Sequence, residues 1–229
     1  MIMSVMGVRY CILMMNMRIF IVSGNRLSKT GSVVGMTERE VFTSDENFII
    51  CNISDVDRSD YVELHRQLNG ETSLYLNPIS KDMMWEQILD KADSVFSLFT
   101  GKGEYCGSIE LQQPNSKTPE IGIDLLEDKR NQGIAPRAVR LFARRVYETR
   151  KVDYFLIRIS SNNPHSKYVF EKMGAVKIRE EETDFSRFVK RFCKVGEENR
   201  WDLEKFRHLF GEGDDDVVYC YRLEPNTFL

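Results

Sequence analysis

The chain contains no C-x-x-C pair, no stretch of about 20 uninterrupted apolar residues and no excess of basic charge, and each absence removes a class of protein. Its five cysteines, Cys11, Cys51, Cys106, Cys193 and Cys220, are odd in number and widely spaced. That argues against a disulfide framework or a zinc knuckle and for a reducing cytoplasm. The three histidines, His65, His165 and His208, fit no metal-ligand spacing, so no metal is expected. The apolar run at residues 10–22 is broken by Asn16 and Arg18, and no Ala-x-Ala step follows it; neither a membrane anchor nor a signal peptide is expected. With 32 Lys and Arg against 35 Asp and Glu, bulk attraction to nucleic acid is disfavoured. Neither the P-loop nor the dinucleotide fingerprint occurs.

What is present is an ordinary globular composition, 42% hydrophobic and 29% charged over 229 residues, enough for one large domain or two small ones. Charge is unevenly divided. The first 36 residues carry Arg9, Arg18, Arg26 and Lys29, no acidic residue and 7 of the 10 methionines, leaving the rest with 28 basic and 35 acidic side chains, a net −7. Residues 1–46 therefore read as an N-terminal extension, disordered or begun too early, with Met36 a candidate start. Residues 47–229 read as the folded domain.

From Asn47 onward the punctuation is regular. Residues 48–53 predict a strand, and 57–68 a helix with Tyr61, Leu64 and Leu68 on one face, ending at Asn69-Gly70. A second helix is expected after Ser80 as N-cap, with Met84, Ile88 and the Lys91 stem in one stripe. Three strands follow at 94–99, 105–111 and 120–126, separated by Gly101-Lys-Gly103 and Gln113-Pro114-Asn115-Ser116, which makes an antiparallel meander. Ala135, Val139, Phe142 and Val146 mark the buried face of a helix over 135–150. A strand at 153–160, a short helix at 166–173 stopped by Gly174, and extended structure at 175–180 come next. Residues 182–216 interrupt the rhythm. One helical stripe holds Phe185, Phe188, Val189 and Phe192, Gly196 breaks it, and Leu203, Phe206 and Phe210 form another, so a helical hairpin insertion is expected before a last strand at 217–223.

The segment that carries chemistry is Lys129-Arg130-Asn131-Gln132-Gly133-Ile134-Ala135-Pro136. A Gly-containing loop that feeds a helix points unpaired backbone N–H groups and the positive dipole end at one spot, suited to a phosphate or pyrophosphate. Pro136 fits a first helical turn, and Lys129, Arg130 and Arg137 add positive charge nearby. An ordinary strand-to-helix connection is the plainer alternative.

Arg130-x-x-Gly133-x-Ala135, preceded by Glu120-Ile-Gly-Ile and followed by Asn163-x-x-Ser166-x-x-Val169-Phe170-Glu171-Lys172-Met173-Gly174-Ala175, resembles the GNAT superfamily of acyl-coenzyme A-dependent N-acetyltransferases, with the ribosomal-protein-alanine acetyltransferase branch as the nearest likeness. The resemblance covers about 47–181 plus the final strand. It implies an α/β (α+β) fold with a mixed, mostly antiparallel sheet flanked by helices. It also implies acetyl-coenzyme A as co-substrate, with the pyrophosphate held by Arg130, Asn131, Gln132, Gly133, Ile134 and Ala135, the pantetheine arm on the backbone of 120–126 including Leu125 and Leu126, and Asn163 bonded to the coenzyme arm. The next strand is expected to splay away and open a cleft. Asn163 has a plainer role as a helix cap.

An acceptor amine would attack the thioester carbonyl, with a backbone N–H near Leu125 at the oxyanion. Glu120 and Asp124 share one strand face by period two, with Gly122 between them, and are the candidate bases; Glu110 competes, and a bulge would break the pairing. Phe170 stands where many family members place a tyrosine acid. Ser166, or Tyr168 about 200° round the helix, is the substitute donor, Ser166 preferred; a thiol of pKa near 8.5 can also leave unaided. The expected partner is an amine acceptor, a small molecule or protein amine, with no nucleic acid and no membrane, for a monomer or homodimer. The rival reading, raised by Phe170, is a non-catalytic acyl-coenzyme A-binding module.

Overall fold

The computed structural model describes residues 39–70, 77–198 and 217–228. The centre of the sheet is built from β2 (Phe48–Asn52), β3 (Val95–Thr100), β4 (Tyr105–Gln112) and β5 (Glu120–Leu125), with β3 and β4 buried on both faces. All three contacts between them are antiparallel, and β3, β4 and β5 make the expected meander. With β1 (Val41–Ser44), β6 (Phe155–Ser160), β7 (Val176–Glu182) and β8 (Val217–Leu223) they form one eight-stranded sheet in the order β1-β2-β3-β4-β5-β6-β8-β7. Its single parallel contact is β5 with β6.

Period-two alternation sends one set of side chains to each face. Phe48, Ile50, Phe96, Leu98, Ile109, Leu111, Ile121, Phe155 and Ile157 form the main core with α3 (Ile134–Thr149), which buries Ile134, Ala138, Val139, Phe142, Ala143 and Val146. Each large side chain so buried contributes about 1.5–3 kcal/mol, which makes this stripe the strongest local determinant of the fold. The opposite face receives α1 (Arg58–Asn69) and α2 (Pro78–Leu89). Leu64 packs with Cys51, Phe99 and Tyr105, and Tyr61 with Ile53, Trp85 and Val95. The register of β3 on β4 shifts between Leu98 and Phe99. That break puts Cys106 in the α3 core and Tyr105 in the α1 cluster.

The elements depart from the sequence reading at five places. Within the stretch assigned to the extension, Val41–Ser44 is a strand, paired antiparallel with β2; four residues with no apolar alternation give no periodic signal, and cross-strand pairing makes the strand. The cap of α2 is Asn77, whose side chain accepts the N–H of Ile79 at 2.9 Å, with Pro78 in the first turn and Ser80 inside the helix. Lys91 lies beyond that helix and is exposed, while Met84 and Trp85 are buried. Finally, α5 (Asp184–Glu198) runs through Gly196 instead of breaking there; one glycine costs only about 1 kcal/mol inside a helix. Leu203, Phe206 and Phe210, the other half of the expected hairpin, lie outside the described residues, as do the side chains of Phe185, Phe188 and Val189. Between β6 and β7, α4 (Pro164–Lys172) begins right after its cap Asn163, two residues earlier than expected.

Candidate active site

The site is organised by an asymmetry between the two edges of β5. Toward β4 its register is unbroken from Gln112↔Glu120 to Gly107↔Leu125. Toward β6 one register pair, Glu120↔Leu156, joins the strands, with Leu156 N–H donating to Pro119 at 2.9 Å. β6 meanwhile pairs with β8 over its whole length, from Phe155↔Leu223 to Ser160↔Val218. The two parallel strands therefore part after Glu120, as the resemblance implies, and leave a wedge between them. Leu126 donates its N–H to Cys106 of β4 at 3.0 Å. Backbone groups alternate along a strand, so the N–H of Leu125 points the other way, into the wedge. Leu126 itself is tied into the fold, its carbonyl accepting from Lys129 and its side chain packing on the Leu64 cluster.

Because β5 and β6 run parallel, the segments that follow them leave from the same end of the sheet and meet at the mouth of the wedge. After β5 comes the loop of Arg130–Gly133. Asn131 (φ 60°) and Gly133 (φ 70°) both adopt left-handed backbone, a conformation these two residue types enter at least cost. Gly133 is the N-cap of α3, so the unpaired first-turn N–H groups of Ile134 and Ala135 face the loop, and a Cβ added at Gly133 would meet nothing within 4 Å. Arg130 donates from Nε to the Leu125 carbonyl at 3.1 Å, while its Nη2 is buried without a hydrogen-bond partner. An anion lodged there would satisfy it, so these residues fit a pyrophosphate. The other two cations are engaged elsewhere. Lys129 pairs with Glu104 at 3.3 Å, and Arg137 bonds the Gly133 carbonyl and lies over the Phe48 ring. Gln132 is exposed, its amide bonded to the Asp128 carbonyl.

After β6 comes the N-terminus of α4. Asn163 is its cap, accepting the Ser166 N–H at 3.0 Å. Ser166 is half-buried, whereas Tyr168 is 63% exposed with Lys172 beside its ring. Phe170 is 6% exposed and belongs to the core. Cys106 is sealed in that core, and burial pushes its thiol up, away from nucleophilic use; His165 is exposed on α4.

The unbroken β4–β5 register keeps Glu120, Gly122 and Asp124 on one face, opposite Gln112, Glu110 and Ser108. Ile121, Ile123 and Leu125 take the α3 core, so the carboxylates open onto the α1 side. Two neighbours of this face were not anticipated from sequence. Arg158, on the same face of β6, lies 4.0 Å from Glu120 and 3.2 Å from Glu181, its Nε buried without a partner. Glu181 also accepts from Arg179 at 2.7 Å, and that bond, with Arg158 adding to it, holds its carboxyl below the usual range. The signal for Arg158 was a lone charge in an otherwise apolar strand. Tyr105 is the second neighbour, its hydroxyl buried and without a hydrogen-bond partner. Among the described residues no group of three or more His, Cys, Asp or Glu could hold a metal ion, and no helix is long and apolar enough to cross a membrane.

Residues 45–176 match the family model described as an acetyltransferase (GNAT) domain. The chain belongs to the GNAT family. Among solved structures, a point mutant of the spermidine N-acetyltransferase SpeG from Vibrio cholerae superposes on this GNAT protein with a TM-score of 0.58 at 13% identity, covering 81% of this chain and 98% of that one. A dodecameric SpeG from the same organism gives 0.57 at 12%, with the same coverage. The ribosomal L7/L12 alpha-N-protein acetyltransferase RimL gives 0.55 at 13%, again over 81% and 98%. At such identities the likeness is one of fold. No curated protein matches the sequence.

Proposed function

We propose that this GNAT protein transfers an acetyl group from acetyl-coenzyme A to a primary amine by direct attack in a ternary complex. The observation that carries the reading is the wedge, in which β5 is zipped to β4, held to β6 by one register pair, and turns the Leu125 N–H into the opening above the Arg130–Gly133 loop. The co-substrate supplies an activated thioester. Arg130 and the first-turn N–H groups of Ile134 and Ala135 hold its pyrophosphate, and the free edge of β5 aligns its pantetheine arm as an added strand would. Asn163 spends its Oδ1 on the helix cap and has its amide nitrogen left for the coenzyme arm.

At the reacting carbon, the Leu125 N–H stabilises the developing oxyanion. Glu120, beside the Arg158 guanidinium, takes the proton from the acceptor ammonium directly or through water, so that a neutral amine attacks. Asp124 shares that face. Ser166 donates toward the departing sulfur. The described cysteines, Cys51, Cys106, Cys193 and Cys220, are all free, in keeping with work in a reducing cytoplasm. Similarity to enzymes named for spermidine and for a ribosomal protein supports an amine acceptor.

Phe170 favours a second reading, a module that binds the acyl coenzyme without turnover. A thiol-release screen over polyamines, aminoglycosides, lysine and N-terminal peptides separates the two. Thiol released only when coenzyme and amine are both present is the expected result. Tight coenzyme binding with no release from any amine would leave the binding module. Full rates in both Glu120→Gln and Ser166→Ala would remove those two residues from the mechanism.

A further inference from the structure

Glu120 on β5 and Glu181 on β7 are separated in the sheet by β6 and β8, and one guanidinium bridges them. Arg158 lies 4.0 Å from Glu120 and 3.2 Å from Glu181. Their side chains are largely shielded, with 21% of Arg158, 16% of Glu120 and 25% of Glu181 exposed, so the three charges are screened less than on an open surface. The arginine is held at its base and at its tip. Its backbone is in register with Cys220 of β8, and its guanidinium is paired with Glu181, which is itself fixed by the Arg179 bond at 2.7 Å.

The reach toward Glu120 depends on the wedge and on a glycine. Glu120 is the β5 residue in register with β6, opposite Leu156. Had that register continued, Arg158 would stand opposite Gly122. A Cβ placed at Gly122 would meet only the Glu110 Cβ, at 4.0 Å. The guanidinium therefore reaches Glu120 across space that a side chain at position 122 would occupy. At 4.0 Å it attracts the carboxylate from outside hydrogen-bond range, so it can orient Glu120 without donating to the oxygens that must accept a proton.

The other titratable groups on this side of the sheet come from several elements. Glu110 of β4 is in register with Gly122, and Asp124 follows two residues further along β5. On β8, burial and then the charge of Glu181 raise the Cys220 thiol, while Arg222 is bonded to Glu224. On β7 the next residue, Glu182, is taken by Lys190 of α5. Asp57 and Asp60, at the start of α1, act on Tyr105, at the far end of β4 from Gln112 and Glu120. Burial holds His65 of α1 neutral, and the buried residues of α2, Met84 and Trp85, carry no charge. Arg158 is the cation whose pairing with Glu120 crosses the wedge.

We propose that Arg158 is a positioning residue of the acetyl transfer: anchored by Glu181, it holds the Glu120 carboxylate ionised and aimed into the wedge, and Glu181 shares its charge so that Glu120 stays basic enough to take a proton. The inference rests on the reading of Glu120 as the base.

The test is the pH dependence of kcat/KM for thiol release in the full chain and in Arg158→Gln, Arg158→Lys and Glu181→Gln, with one amine throughout so that its own ionisation is common to all. Removing a neighbouring positive charge makes a carboxylate bind its proton more readily, and removing a neighbouring negative charge does the reverse. In Arg158→Gln the acid limb should move to higher pH by about one unit, with kcat down about tenfold on the plateau. In Glu181→Gln the limb should move to lower pH. Arg158→Lys should return the limb toward that of the unaltered chain while kcat stays low, since an ammonium carries the charge without the planar fork. A merely structural role would lower the rates and move no limb. Limbs that superpose, limbs that move the same way in Arg158→Gln and Glu181→Gln, or a full rate in Glu120→Gln would overturn the inference and leave the transferase standing. Thiol release from no amine would instead overturn the transferase reading and this inference together. If circular dichroism shows Arg158→Gln unfolded, the downward shift in Glu181→Gln, a change on the edge strand, decides alone, and its absence overturns the inference.

Discussion

The face of the sheet beneath α3 and the face beneath α1 are built from alternate residues of the same strands, yet they bury different things. Under α3, Ile109, Ile121, Phe142, Phe155 and Ile157 interlock without a polar side chain among them. Across the sheet, at the alternate strand positions, stand Ser97, Ser108, Glu110, Glu120, Asp124 and Arg158. One face can be read as fold and the other as chemistry. The dry face holds the strands in register; the wet face uses that register to bring the Glu120 and Glu181 carboxylates to the Arg158 guanidinium.

If that division holds, substitutions should sort by face. The largest effect expected is from Phe142→Ala, which empties the centre of the dry core and should cost about 3–5 kcal/mol of unfolding free energy in a denaturant titration. A loss below 1 kcal/mol would show that α3 is not what holds the sheet. Next is Glu120→Gln on the wet face, expected to lower kcat/KM by about a hundredfold or more while coenzyme affinity measured by calorimetry stays put.

His65, on the sheet side of α1, ties the wet half to pH. Burial holds its imidazole neutral, with a pKa of about 4 against the usual 6.5. Above about pH 6.5 neither folded nor unfolded chain protonates it; as pH falls toward 4 the unfolded chain binds a proton that the folded chain refuses. Stability should therefore drop by about 3 kcal/mol across that window, read as a fall in denaturation midpoint. In His65→Gln the same window should be flatter by that amount, and an identical slope would remove the histidine from the account. The smallest effect is of opposite sign. Tyr105→Phe deletes a buried unpaired hydroxyl and should raise stability by about 1 kcal/mol, read as an upward shift of the thermal melt.

How much of this was legible in the sequence also divides by face. The helix α3 announced itself through Val139, Phe142 and Val146, and β4, β5, β6 and β8 through runs of β-branched and aromatic residues, since burial against a dry core writes a periodic pattern. The loop before α3 was visible in Gly133 and Pro136, because backbone conformation restricts residue choice there. The wet face wrote no pattern. Asp60 and Tyr105 are distant in sequence and read singly as a helix charge and a strand aromatic; only the register break at Leu98/Phe99 turns Tyr105 toward α1. Arg158 acquires meaning only from Glu120 and Glu181, which lie on other strands. β1 and the edge strand β7 were similarly faint or poorly bounded, Val41-Phe-Thr-Ser and Val176-Lys-Ile-Arg-Glu-Glu-Glu being held by neighbours more than by propensity.

The single register pair between β5 and β6 has a mechanical side. It divides the sheet into two panels, β1 through β5 and the β6, β8, β7 trio, which the backbone joins only at one end of their shared seam. A pantetheine arm hydrogen-bonded along the seam would act as a tie-bar between panels, so coenzyme occupancy becomes a matter of stiffness as well as of chemistry. Amide exchange at Ile123 and Leu125 is where that stiffening registers, and an acceptor docking on the wet face would then meet two panels already locked at a fixed angle.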